Sequence, residues 1–90
     1  MASIDDTTTL TRAHLALEAA AIGQAMLDGD IEEARFRAHF LRSQAEDLGL
    51  TDVANAAVRV ITFLPPEERF PQRGIGVALL HLCDTLSIEA

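Results

Sequence analysis

Residues 30–50 read DIEEARFRAHFLRSQAEDLGL, and this stretch decides the fold. Its small and apolar residues recur every three or four positions, which is the period of an α-helix. They are Ile31, Ala34, Ala38, Leu41, Ala45 and Leu48. Asp30 with Glu33 resembles a capping box, and Gly49 stands where helices commonly end. The stretch therefore predicts one amphipathic helix over 30–48, with the apolar stripe buried.

Three further segments outside this stretch show the same helical spacing. Turn residues at 28–30, Gly49 and the pair Pro65-Pro66 separate them. The predicted helices cover 9–27, 51–64 and 71–87, with Thr51 as an N-cap and Pro71 in a first turn. The residues predicted to face inward in the first and last are Leu15, Ala19, Ile22, Met26, Ile75, Leu79, Leu82 and Leu86.

The short connections predict how these helices are arranged. Connections of a few residues make neighbouring helices antiparallel, and four such helices close most simply as an up-down bundle. The fold class is therefore all-α, a four-helix antiparallel up-down bundle. Ninety residues are enough for one core, so residues 1–90 form a single domain, with 1–8 as a flexible N-terminal segment.

The charge balance narrows the classes of partner. Fourteen acidic residues against seven arginines and no lysine give a net charge of −7, which disfavours binding to nucleic acid or anionic lipid. No signal peptide is recognisable, and no apolar run reaches the roughly 18 residues that span a bilayer. We therefore expect a cytoplasmic protein that is not membrane-bound. The lone Cys83 lies beside an apolar run and is predicted to be a small core residue.

The second predicted helix presents a polar face around a histidine. On a helical wheel, His39 falls about 130° from the centre of the apolar stripe, so it is expected to face solvent. Arg35 lies one turn before it, Arg42 and Ser43 one turn after it, and Glu46 two turns after it.

Two aromatic residues lie still further from the stripe. Phe36 and Phe40 are one turn apart, and exposed aromatic pairs often mark a contact surface. The alternative, that Ile4, Leu10 or the fourth helix covers them, is left open by the sequence.

The run from Ala38 to Leu50, AHFLRSQAEDLGL, resembles the signature of histidine-containing phosphotransfer (Hpt) domains of two-component phosphorelays. That family is a four-helix bundle. Its pattern has a phosphorylated histidine, an apolar residue two positions on, Lys or Arg three on, a small residue four on and Gly ten on. His39, Leu41, Arg42, Ser43 and Gly49 match these positions.

The resemblance implies a phosphorelay intermediate rather than an independent catalyst. His39 would be the phosphoacceptor, Arg42 would stabilise the phosphoryl dianion, and Ser43 would let a partner approach. Arg35 is expected to add positive charge, and Glu46 to accept the second ring N–H of His39. Arg35, Phe36, Phe40 and Glu46 are the predicted partner-binding residues.

The resemblance also implies which partner supplies the rest of the chemistry. A response-regulator receiver domain or a hybrid sensor kinase would bring the acid group and Mg²⁺. We accordingly expect no cofactor and no resident metal in this chain. A monomer is expected, with a dimer as the alternative.

Other functions remain open at the level of sequence. Ser43 stands where the family usually has Gly, and Gln44 where it has a small residue, so one alternative is a degenerate scaffold without phosphotransfer. A second is a non-enzymatic helical interaction module. A tetratricopeptide-like hairpin is suggested by residues 29–34, although only one repeat is visible. A zinc site from His39, His81 and Cys83 is disfavoured because the last two point to different sides of one helix.

Overall fold

The fold is a bundle of four α-helices. The computed structural model describes residues 4–66 and 73–86, and within these ranges all regular structure is helical. The helices are α1 (Ile4–Leu27), α2 (Ile31–Asp47), α3 (Thr51–Thr62) and α4 (Ile75–Leu86). Both α1 and α3 pack against α2 and α4, whereas in the described ranges no Cα atoms of the diagonal helix pairs come within 8 Å of each other. The predicted all-α bundle is therefore confirmed.

Tight turns join the first three helices. Gly29 and Gly49 follow the ends of α1 and α2 and have positive φ values of 77° and 73°, a conformation that glycine adopts at low cost. The Leu50 N–H donates to the Ala45 carbonyl at 2.8 Å, and the Asp30 N–H donates to the Ala25 carbonyl at 2.8 Å. These bonds satisfy carbonyls at the helix ends and turn the chain back at once. Neighbouring helices are consequently antiparallel.

The start of α2 follows the predicted cap. The Asp30 carboxylate accepts a hydrogen bond from the Glu33 N–H at 3.1 Å, which satisfies one free donor of the first turn. The Glu33 side chain does not return to Asp30 but pairs with Arg37 at 2.7 Å. Only the forward half of the capping box forms.

The core lies between the helices and is made of aliphatic side chains. In α2 the predicted stripe is buried at Ala34, Ala38, Leu41 and Ala45. The other helices contribute a similar set of small and branched residues. These are Leu15, Ala19, Ile22 and Ala25 from α1, Val53, Ala54, Ala56, Ala57 and Val60 from α3, Leu64, and Ala78, Leu82 and Leu86 from α4. No helix in the described ranges is long and apolar enough to cross a membrane.

Several helix boundaries differ from the predicted ones. The backbone of α1 is helical from Ile4, five residues before the predicted start at Thr9. The chain has no Pro or Gly before Gly23 that would interrupt a helix there. Leu50, not Thr51, occupies the N-cap of α3, and α3 ends at Thr62. The predicted ends of the last helix, Pro71 and Ser87, lie outside the described residues.

Two predicted core residues lie on the surface. Leu48 is 53% exposed, while Leu50 packs against the core two residues later. The glycine turn redirects the chain between them, so periodicity extended from α2 no longer applies. Cys83 is also exposed, because α4 directs Leu82 and Leu86 inward and leaves the intervening position outside.

Arg12 fixes one end of the bundle. Its Nη1 donates to the carbonyl oxygen of Thr85 in α4 at 2.7 Å, and its Nη2 lies 3.6 Å from an Asp52 carboxylate oxygen in α3. One side chain of α1 thus contacts the last turn of α4 and the first turn of α3. A cation beside the free carbonyls of a helix C-terminus is stabilising.

Candidate functional site

His39 lies on the outer face of α2, as the helical wheel predicts. Its side chain is exposed, whereas Ala38 and Leu41 on either side are fully buried. Among the described residues, neither ring nitrogen of His39 takes part in a hydrogen bond or an ion pair. The imidazole therefore has one nitrogen available as a nucleophile when it is neutral.

Arg42 is the basic side chain that α2 places beside His39. Residues three apart on a helix lie on adjoining parts of one surface, roughly 5–6 Å between Cβ atoms. Arg42 Nε is 3.6 Å from a carboxylate oxygen of Glu46, and this Nε is covered by neighbouring atoms without a hydrogen bond. Such a long, partly exposed ion pair contributes little stability. Arg42 can therefore exchange Glu46 for another anion at low cost.

Glu46 does not have its predicted role. It is the partner of Arg42, and no described hydrogen bond links it to His39. Two helical turns along one face separate the two residues by about 10 Å in backbone rise, which is too far for a direct hydrogen bond between these side chains.

Arg35 also differs from its predicted role. Its Nε donates to the Leu64 carbonyl at 2.9 Å and its Nη2 to the Pro65 carbonyl at 3.1 Å. These bonds satisfy carbonyls just after α3, where the following residue Pro66 cannot donate an N–H. Arg35 holds the α3 end against α2 instead of supplying a free charge near His39. Arg42 is the remaining basic neighbour of His39 on this face.

Ser43 completes the polar part of the face. It is exposed and lies one turn after His39, so a small side chain stands on that side of the imidazole. Within the described residues, α2 thus brings His39, Arg42 and Ser43 together, as predicted, and leaves Arg35 and Glu46 in other contacts.

Phe36 and Phe40 form an exposed aromatic patch beside His39. Their rings are stacked with centroids 6.4 Å apart and an interplanar angle of 11°. Phe36 is 66% exposed and Phe40 is 45% exposed. The exposure of both rings shows that neither Leu10 nor the described part of α4 covers them. The side chain of Ile4 lies outside the described part of the structure.

Leu17 of α1 is a further exposed apolar residue, which the sequence did not reveal. It is 72% exposed. The neighbouring Glu18 forms an ion pair with Arg37 of α2 at 3.4 Å, which links the two antiparallel helices.

The described residues contain no grouping suited to a metal ion. No three His, Cys, Asp or Glu side chains in 4–66 and 73–86 come together as possible ligands. His39 lies on the outer face of α2 and His81 on α4, and no Cα atoms of these two diagonal helices come within 8 Å of each other. The described structure therefore does not bring His39 and His81 together as joint metal ligands.

Cys83 is exposed but poorly reactive in its setting. Partial burial of the sulfur raises the pKa of Cys83, and the negative charge of Asp84 raises it further. A thiol reacts as its thiolate, so a raised pKa lowers the reactive fraction at neutral pH.

We predict that Cys83 of the folded protein reacts with a disulfide reagent at pH 7.5 several-fold more slowly than an unfolded control. Asp84→Asn removes the second cause of the raised pKa and should accelerate the reaction, whereas Asp47→Asn on the distant α2 should not. Stopped-flow absorbance gives the rates. A folded wild type that reacts faster than the urea-unfolded chain would contradict this prediction.

The geometry of α2 therefore defines one exposed histidine face with a basic, a small and two aromatic neighbours. Comparison with models of protein families, with curated proteins and with solved structures gives no match for this chain.

Proposed function

We propose that this chain is a histidine phosphotransfer protein that carries a phosphoryl group on His39 between receiver domains in the cytoplasm. The observation that supports this most is an exposed imidazole with both nitrogens unengaged among the described residues, one turn from a loosely held arginine. The resemblance of residues 38–50 to the Hpt signature supports the same function.

In phosphoryl transfer, this chain acts as the carrier of the phosphoryl group and has to supply only the nucleophile. The unprotonated nitrogen of His39 attacks the phosphorus of an aspartyl phosphate on the receiver domain. The N–P bond forms, the P–O bond to the aspartyl group breaks, and the carboxylate leaves with that electron pair. The second ring nitrogen then gives its proton to solvent, or retains it as the charged phosphoimidazole. The reverse sequence returns the phosphoryl group to a receiver.

Exposure of the histidine is what this reaction needs from the fold. The receiver must bring its aspartyl phosphate into line with the ring nitrogen, so no side chain of the carrier can stand in front of it. Ser43 offers a small neighbour on one side. The aromatic patch of Phe36 and Phe40 provides apolar contact area on the other side, where the receiver is proposed to dock.

The direct experiment is phosphoryl transfer from a panel of receiver domains carrying a labelled aspartyl phosphate. We expect label on the chain that survives base and is lost in acid, as an N–P bond requires. Absence of label with every receiver would contradict the proposed function.

Arg42 is expected to stabilise the phosphorylated state. Exchange of Glu46 for the phosphoryl dianion gives a charge-assisted contact that a neutral side chain cannot make. Arg42→Gln should therefore still accept label but lose it at least several-fold faster, as measured by the decay of phosphohistidine. Arg37→Gln, which changes an arginine already paired with Glu18 and Glu33, serves as the matched control. Equal lifetimes in the two variants would remove Arg42 from the site.

A second candidate function, a non-enzymatic interaction module, is favoured by the exposed aromatic stack. Both functions require this surface to bind a partner. We expect Phe40→Ala to leave the unfolding free energy nearly unchanged and to weaken a receiver complex by about 1–3 kcal/mol. Titration calorimetry measures the binding, and Leu80→Ala, an exposed apolar residue on α4, is the control.

The two outcomes separate the candidate functions. Partner binding without label transfer would favour the interaction module. A Phe40→Ala variant that unfolds readily would instead place this ring in a core contact and remove the patch from both proposals.

A further inference from the structure

A groove between α3 and α4 has a polar end and an apolar end. Two adjoining cavities form it, with volumes of about 370 and 240 Å³. Arg59 and His81 line both cavities, so their side chains lie where the two meet. The α3–α4 groove lies on the side of α3 away from α2, and none of its lining residues belongs to the His39 face.

The apolar end is shaped by one ring and a glycine. Phe63, Val77 and Ala78 line it. A Cβ added to Gly74 would stand 3.1 Å from Cε1 of Phe63, so the ring packs directly over the glycine backbone. Gly74 also has a φ of 102°, which other residues rarely adopt. Two independent constraints thus keep a glycine at position 74 beneath the Phe63 ring.

The polar end offers donors for an anion. Arg59 has no ion-pair partner among the described carboxylates, so its guanidinium can pair with an added anion. Asn55 and the imidazole of His81 stand beside it as further possible donors. Asp52 also lines this end, but Arg12 lies 3.6 Å from its carboxylate and offsets its charge.

We propose that the α3–α4 groove binds an organic monocarboxylate with a compact apolar body. The guanidinium of Arg59 pairs with the carboxylate, and the body packs on Phe63 and Val77. A phosphate dianion fits less well, because it leaves the apolar end of the groove empty and the overall negative charge of the chain opposes a second negative charge. The combined space suits a ligand with one ring or a branched chain.

Phenylacetate is a suitable probe. It can be titrated into the isotope-labelled protein while the chemical shifts are followed by NMR. We expect saturable shifts of the Phe63, Val77 and His81 signals, with a Kd of about 1 mM for so small a ligand. 2-Phenylethanol, which keeps the ring but lacks the charge, should bind about tenfold more weakly or worse. Inorganic phosphate lacks the apolar body and should also bind about tenfold more weakly or worse.

Substitutions then locate the site. Arg59→Gln should raise the Kd about tenfold, and His81→Gln should raise it less. His14→Gln on the exposed side of α1 is the matched control and should leave the Kd unchanged.

Three results would overturn the proposal. The first is that wild type shows no saturable shift. The second is that 2-phenylethanol or phosphate binds as tightly as phenylacetate does. The wild-type protein alone is enough for this comparison. The third is that a folded Arg59→Gln variant retains the wild-type Kd.

Discussion

We expect His39→Gln to leave the bundle folded and to abolish the proposed phosphoryl acceptance. The side chain is exposed and contributes no described hydrogen bond, so its replacement should change the unfolding free energy by no more than about 0.5 kcal/mol. Glutamine keeps the size and polarity of the position but has no nucleophilic ring nitrogen. We expect the label that wild type takes from a receiver to fall to background in this variant.

The other described histidines supply the matched controls. His14 and His81 are also exposed, and both lie on other helices. His14→Gln and His81→Gln should accept label at the wild-type rate. If the His39→Gln variant still accepts label, the phosphoryl group is carried elsewhere and His39 loses its proposed role. Circular dichroism on each variant separates lost chemistry from lost folding.

Leu41→Ala is expected to have the largest effect on stability. Leu41 is fully buried in the aliphatic core, so its truncation leaves a cavity among packed side chains. Truncation of a buried leucine typically costs about 2–5 kcal/mol. That is a large part of the roughly 5–15 kcal/mol that stabilises a small domain.

Denaturant unfolding measures this cost, with the midpoint read at constant m-value. Leu48→Ala is the matched control, because it makes the same truncation in the same stretch of chain at an exposed position. We expect the control to lose less than about 1 kcal/mol. Similar losses in the two variants would mean that α2 does not bury the face containing Leu41.

Local chemistry made most of α2 predictable. The Asp30 cap and the Gly49 turn act within a few residues, and both occur where the sequence places them. The periodicity also assigned His39 to the outer face correctly. It failed at Leu48, because the turn that follows decides whether Leu48 or Leu50 enters the core. Helical periodicity alone does not determine which of the two leucines is buried.

Tertiary contacts explain why the surroundings of His39 were only partly predictable. Arg35 lies on the expected helix, but its hydrogen-bond partners are carbonyls 29 and 30 residues further along the chain. Only the packing of α3 against α2 brings them within reach. The ion pair between Arg37 and Glu18 was missed for the same reason, since it depends on the register of α1 against α2. The phosphotransfer function itself remains a proposal.

The contact of Arg12 with α4 has a consequence for the order in which the bundle assembles. This hydrogen bond closes a separation of 73 residues, whereas Arg37 reaches Glu18 across 19. The longer loop is nearly four times the shorter one, which is almost two doublings of length. Closing it therefore costs about 1 kcal/mol more in chain entropy. The α1–α2 and α2–α3 hairpins form through tight turns without that cost. We therefore expect the contact between α1 and the end of α4 to form last, after the hairpins that carry His39.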